Sequence, residues 1–148
     1  MLTKLKYAGV SRGDLLDIYT LYIRSRAEYC SVAFHSSLTV QQSASLEKIQ
    51  STCLKIILQD NYQSYSNALQ ITGLETLAQR REGRCLNFSL KAIEHPQNSR
   101  LFPFNDRLND YNMRVGEPFK VNEARTNSYM NSAIPYCQRL LNKQFQQT

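Results

Sequence analysis

A chain of 148 residues, 42% of them hydrophobic, is one domain's worth of material with enough apolar surface for a core, which argues against global disorder. Only five Gly and four Pro, beside nine Tyr, six Phe and no Trp, argue against a strand-and-turn architecture and favour helices. The net charge is +6, with seven Lys/Arg against six Asp/Glu in residues 1–75 and eleven against six in residues 76–148, and a basic second half suits a polyanionic partner.

Ser11 followed by Asp14 has the spacing of a capping box and predicts a long helix over 13–35. At ~100° per residue its polar positions form a narrow strip of Asp17, Thr20, Arg24, Glu28, Ser31 and His35. Most of the remaining girth is apolar, from Leu15, Leu16 and Tyr19 through Tyr22 and Ile23 to Cys30, Val32 and Phe34. A helix so apolar is expected at the centre of a bundle, with its face over 22–30 covered by neighbours. The stretch RSRAEYCSVAFHSS brings Cys30 and His35 close in sequence, but ~140° apart on the wheel, too far around for a nucleophile–base pair within one helix. His35 is expected on the wet strip. Arg26 falls inside the apolar arc, where it is tolerated only by snorkelling along a tyrosine or by reaching the protein edge, and Arg26→Val is expected to raise stability if the helix is central.

Thr39 with Gln42 repeats the capping signature and opens a second helix over 40–58. Its apolar face is Leu46, Ile49, Cys53, Leu54, Ile56 and Ile57, with Gln50 inside the arc and Lys48, Ser51 and Lys55 facing water. A short helix over 65–72 is stopped by Gly73 in the C′ position. Thr76 caps a third long helix over 76–94, ended by His95 and Pro96. Its seam is Leu77, Ala78, Cys85, Phe88 and Ala92. Arg81 lies in that seam and requires a carboxylate or carbonyl oxygens, with Glu47 and Glu28 as the expected partners. Losing Arg81 is therefore expected to cost more stability than losing Arg80 or Arg84. On the other side Arg80, Arg84, Asn87 and Lys91 recur at helical spacing and are expected to point outward together, with Lys48 and Lys55 extending the patch if the second helix lies alongside. Such a stripe serves either as a solubilising face or as a track for phosphates.

Periodicity is lost over 97–131, which is expected as an irregular segment held on the bundle by Leu101, Phe102, Phe104 and Phe119. Ser132 then caps a last helix from Ala133 to about Gln144 that docks through Ile134, Cys137, Leu140 and Leu141, with Pro135 tolerated in its first turn. The expected fold is all-α: a helical bundle core over 1–96, the irregular segment, and a C-terminal helix and tail over 132–148, in one domain.

Cys30, Cys53, Cys85 and Cys137 form no C-x-x-C pair, and each stands among apolar residues where a free thiol acts as a small hydrophobe. A reduced, intracellular chain, cytoplasmic or nuclear, is expected. No apolar run approaches the ~20 residues of a membrane span, and MLTKLKYAGV lacks a signal peptide's apolar core, so no membrane partner is expected. There is no Gly-rich phosphate loop, no G-x-S-x-G, no H-E-x-x-H and no Cys/His cluster, and the five aspartates are scattered. No catalytic residue, metal or cofactor is expected.

The order IYTLYIRSRAEYCSVAFHSSLT, SLEKIQSTCLKIIL, GLETLAQRREGRCLNF and SAIPYCQRLLN resembles the C-terminal, thumb-side region of reverse transcriptases from LINE-type, Jockey-like non-LTR retrotransposons. The matching positions are Ile23, Arg24, Glu28, Tyr29, Ser31 and Val32, then Leu46, Glu47, Ile49, Gln50, Leu74, Leu77, Arg80 and Arg81, then Ile134, Pro135 and Leu141. Where the family reads Ile-Arg-Pro-Val-Leu-Glu-Tyr, this chain has Ile23, Arg24, Ser25, Arg26, Ala27, Glu28 and Tyr29. The family's catalytic aspartates belong to an upstream Tyr-x-Asp-Asp motif that this chain does not contain. The resemblance implies a fragment of an RNA-directed DNA polymerase without its catalytic centre. Its expected role is to hold RNA–DNA hybrid or RNA by the backbone phosphates, beside other reverse-transcriptase segments. The alternative is a helical protein-interaction or structural module, including a decayed relic of such an element.

Overall fold

Several helices start where a hydroxyl side chain caps the first turn, as Ser11, Thr39, Ser64 and Thr126 do. In the computed structural model, which describes residues 1–105, 117–123 and 125–146, α1 is Leu2–Tyr7. The next helix, α2, is continuous in three parts: α-helical Arg12–Ile18, π-helical Tyr19–Arg24 and a closing turn Ser25–Ala27. Then follow α3, Ser31–Phe34; α4, Val40–Leu58; α5, Tyr65–Thr72; α6, Leu77–Ile93; α7, Asn127–Met130; and α8, Ala133–Gln146. The fold is all-α. Among the described residues the one β-type pairing is an isolated bridge between Phe104 and Phe119.

Ser11, Thr39 and Gly73 end their helices as expected. Ser11 Oγ accepts from the Asp14 amide at 3.2 Å. Thr39 and Gln42 form a complete capping box, each side chain bonding the other's backbone amide. Gly73 ends α5 in the left-handed region at φ 65°, and Leu74 N–H closes the turn onto Leu69 O at 3.1 Å.

The chain folds as two compact units, residues 1–30 with 38–81 and residues 31–37 with 82–148, so the expected core over 1–96 is divided between them. Helix α6 gives its first turn and a little more to the first unit and the remainder to the second. The first unit is built on Leu2, Leu15, Tyr19, Cys53 and Ile57, joined by Leu54, Leu58 and Ala68. The second is built on Cys85, Ala92, Phe102, Phe119, Cys137 and Leu141. Its irregular segment is held as expected by Phe102 and Phe119, whereas Leu101 and Phe104 are exposed. Residues 106–116 and 124 of that segment, and the tail at 147–148, lie outside the described residues.

Helix α2 departs from the expected uninterrupted helix over 13–35. It ends at Ala27, and Cys30 takes φ 52°, which separates it from α3. Each residue of a π turn also advances by less than 100°, so every position after Tyr19 is rotated out of the phase of an ideal wheel. The consequences invert the expected burial. Tyr22 (65% exposed), Tyr29 (77%) and Cys30 face outward, as does Arg26, while Glu28 and Ser31 are buried. The central-helix expectation is thereby overturned, and Arg26 reaches the protein edge. Phe88, expected in the α6 seam, is also exposed, and Ser89 is buried in its place with Oγ bonded to Cys85 O at 2.6 Å.

Two glycines predict opposite outcomes. A Cβ meets nothing within 4 Å at Gly73 or at Gly83, so the backbone alone decides the sign. Gly73→Ala forces an L residue into the left-handed region and lowers stability by about 1 kcal/mol. Gly83→Ala, in the body of α6, raises it by about 0.5–1 kcal/mol. Thermal denaturation of the two variants beside the wild type checks both signs.

Candidate nucleic-acid interface

The N-terminus of α6 organises the polar residues of the first unit. A helix leaves its first four amides without intrahelical partners, and here each finds an acceptor. Leu77 N–H and Ala78 N–H donate to the two carboxylate oxygens of Glu47 at 3.2 and 2.7 Å. Gln79 N–H donates to Thr76 Oγ1 and Thr76 N–H to Gln79 Oε1, both at 3.2 Å. Glu47 reaches this position from the middle of α4, and Tyr65 Oη donates to it at 2.5 Å. Burial, and then this bond to a carboxylate, hold the Tyr65 hydroxyl protonated well above the usual phenol range.

One helical turn along α4, Gln50 is fully buried, as its place in the apolar arc requires. Its Oε1 accepts from Tyr19 Oη at 2.7 Å and its Nε2 donates to Glu75 O at 2.9 Å, just ahead of α6. Burial also raises the Tyr19 hydroxyl strongly.

The first turns of α6 carry two arginines inward. Arg81 is 0% exposed, as expected, and its Nη2 donates to Ser43 Oγ at 3.0 Å. Glu47 holds the helix terminus, and Glu28, only 1% exposed, takes Arg80 in a two-pronged pair at 2.8 and 3.3 Å. The hydrogen bond to Glu28 strengthens the Arg80 guanidinium's hold on its proton against the opposing effect of burial. Arg80 is therefore a structural cation, which corrects its expected place in an outward stripe. The cause lies in α2: the wheel puts Glu28 in water, whereas the π turn and the break at Cys30 leave it buried and in need of a counter-charge.

The remaining cations stay outside. Lys48 and Lys55 are exposed on α4, seven residues apart and hence on one face. No exposed position of α4 carries an acid, because Glu47 is the helix's one carboxylate and it is turned onto α6. Arg84 and Lys91, likewise seven apart and exposed, belong to the part of α6 in the second unit. By unit the charge is even, with nine Lys/Arg against six Asp/Glu in each.

In the second unit His35 is half-buried, which corrects its expected place on a wet strip. Its Nε2 lies 3.1 Å from Tyr136 Oη, with the rings edge to face. Burial pushes the Tyr136 hydroxyl up to about 12. Gln138 and Asn142 were not foreseen. Gln138 Nε2 donates to Leu101 O and its Oε1 accepts from Asn122 N–H, while Asn142 bonds both backbone groups of Phe119. Their signal was present: two amides four residues apart inside the apolar arc of the last helix, where a buried amide requires backbone partners. Of the four thiols Cys53, Cys85 and Cys137 are buried and Cys30 is exposed. Among the described residues no group of three or more His, Cys, Asp or Glu is placed to hold a metal ion, and no helix is long and apolar enough to cross a membrane.

No family model, no curated protein and no solved structure matches this chain.

The Glu28–Arg80 pair generates a stability prediction. Arg80→Ala strips the paired guanidinium from a carboxylate that is almost wholly buried, and is expected to lower stability by about 2–4 kcal/mol. Arg26→Val alters an exposed position and is expected to change stability by no more than about 0.5 kcal/mol. Urea unfolding of the two variants, followed by circular dichroism, measures the difference.

Proposed function

We propose that the chain is a non-catalytic helical module that binds nucleic acid through its phosphate backbone without reading base sequence. The observation that carries this reading is the outward face of α4, with Lys48 and Lys55 on it and no exposed acid. Arg84 and Lys91 on α6 offer a second pair of cations at the same seven-residue spacing. Each such cation releases a condensed counterion when it meets a phosphate, so binding is electrostatic and falls as salt rises. A helix face gripping a duplex by shape and charge is the chemistry expected of the thumb-side region of a reverse transcriptase. RNA–DNA hybrid is accordingly the ligand of choice for a test, and other polymerase segments are the natural neighbours of such a module. The absence of a Tyr-x-Asp-Asp motif and of any phosphate-cradling loop favours binding over turnover.

Few phosphates are contacted, so the expected affinity is that of non-specific binding, roughly 10⁻⁴ to 10⁻⁶ M at physiological salt. Anisotropy titrations of labelled RNA–DNA hybrid over a range of salt concentrations test the proposal. Replacing both Lys48 and Lys55 by Ala is expected to weaken binding and to reduce the slope of log affinity against log salt by about 2. The Arg84→Ala, Lys91→Ala double variant is expected to act in the same direction. Unchanged affinity and slope in both variants make these faces solubilising surfaces and favour an interaction module instead.

A further inference from the structure

The π turn of α2 does more than shift burial. Over 19–29 the exposed positions are 21, 22, 25, 26 and 29, a four-residue repeat that makes a single outward face, while Tyr19 and Glu28 on the other side are buried. Ser25 secures the wide turn by donating to Leu21 O at 2.5 Å and Tyr22 O at 3.2 Å. The face presents Leu21, Tyr22 and Tyr29 at 65–77% exposure, with Arg26 between the two tyrosines and no carboxylate. Among the described residues no hydrogen bond or ring contact engages the side chains of Tyr22, Arg26 or Tyr29. Aromatic rings so exposed lose the burial that ordinarily stabilises them, and a cation among them selects the partner's charge.

We infer that this face is a stacking platform for the unpaired bases of a single-stranded nucleic acid, with Tyr22 and Tyr29 taking bases and Arg26 a phosphate between them. The inference rests on the backbone-binding reading above and narrows its ligand to a strand with exposed bases. Tyr22 lies in the π turn and Tyr29 just beyond the last turn of α2, with Arg26 between them in the chain. Phenol rings accept any base, since every base has a π face, and an interleaved arginine neutralises the linking phosphate.

The test compares a short labelled oligouridylate with an abasic strand of equal length and charge, titrated against the full chain. The wild type is expected to bind the base-bearing strand at least roughly tenfold more tightly than the abasic one. Tyr22→Ala with Tyr29→Ala is expected to erase that preference, and Tyr22→Phe with Tyr29→Phe to keep it. Arg26→Ala is expected to lower the salt slope by about 0.7 on both strands. Equal binding of the two strands by the wild type overturns the stacking platform while leaving the backbone reading intact. Binding to neither strand, nor to RNA–DNA hybrid, removes both. A wild-type dimer in sedimentation that the alanine pair dissolves makes the face a self-association surface and overturns the inference.

Discussion

The carboxylate of Glu47, set between the first two amides of α6, is the interaction on which the first unit depends. Those amides are donors that a helix cannot satisfy itself, and a buried terminus without acceptors costs about 1–3 kcal/mol for each group left bare. One side chain from α4 meets both, with Tyr65 donating to it from α5, so three helices converge on two oxygen atoms. A negative charge at this point also complements the positive end of the α6 dipole. Once the start of α6 is pinned, its register is set. Arg80 then meets Glu28, Arg81 turns into the interior beside Ser43, and Gln50 spans from Tyr19 to the backbone just before the helix.

The same arrangement shapes the surface. Glu28 and Glu47 are drawn inside, and each neutralises a charge or a dipole that the fold itself generates. Lysines on α4 stay in water, because a hydrated ammonium on a long stem loses much by burial and little by exposure. An unevenly paired surface thus arises from interior bonding, without any run of basic residues in the sequence. The structural use of acids and the proposed binding of polyanions are linked in this way.

Much of the fold was legible because it is written in local chemistry. Ser11, Thr39 and Gly73 mark helix ends by hydrogen-bonding geometry that depends on a few neighbouring residues. Gln50 and Arg81 were legible as buried polar groups from their place in apolar arcs. The failures around α2 share one cause. A wheel assumes a constant turn per residue, and the π turn at Tyr19–Arg24 followed by the left-handed Cys30 breaks that assumption where α2 matters most. From that point Glu28 moves inside, Tyr22, Arg26 and Tyr29 move outside, and Arg80 is drawn from the expected stripe to answer Glu28. The amides of Gln138 and Asn142 escaped notice for a different reason: their partners are backbone groups of a segment without periodicity, at a distance no helical pattern encodes.

The central claim is that Glu47 seals the N-terminus of α6, and hydrogen exchange at single amides measures it most directly. First-turn amides of a helix ordinarily exchange readily, having no intrahelical acceptor. In this protein Leu77 and Ala78 are expected to be protected in the wild type and to exchange at least roughly tenfold faster in Glu47→Ala, reflecting loss of a cap worth about 1–2 kcal/mol. Amides at the centre of α6 are expected to change less. Rapid exchange of Leu77 and Ala78 in the wild type, or equal rates in the two proteins, contradicts the claim.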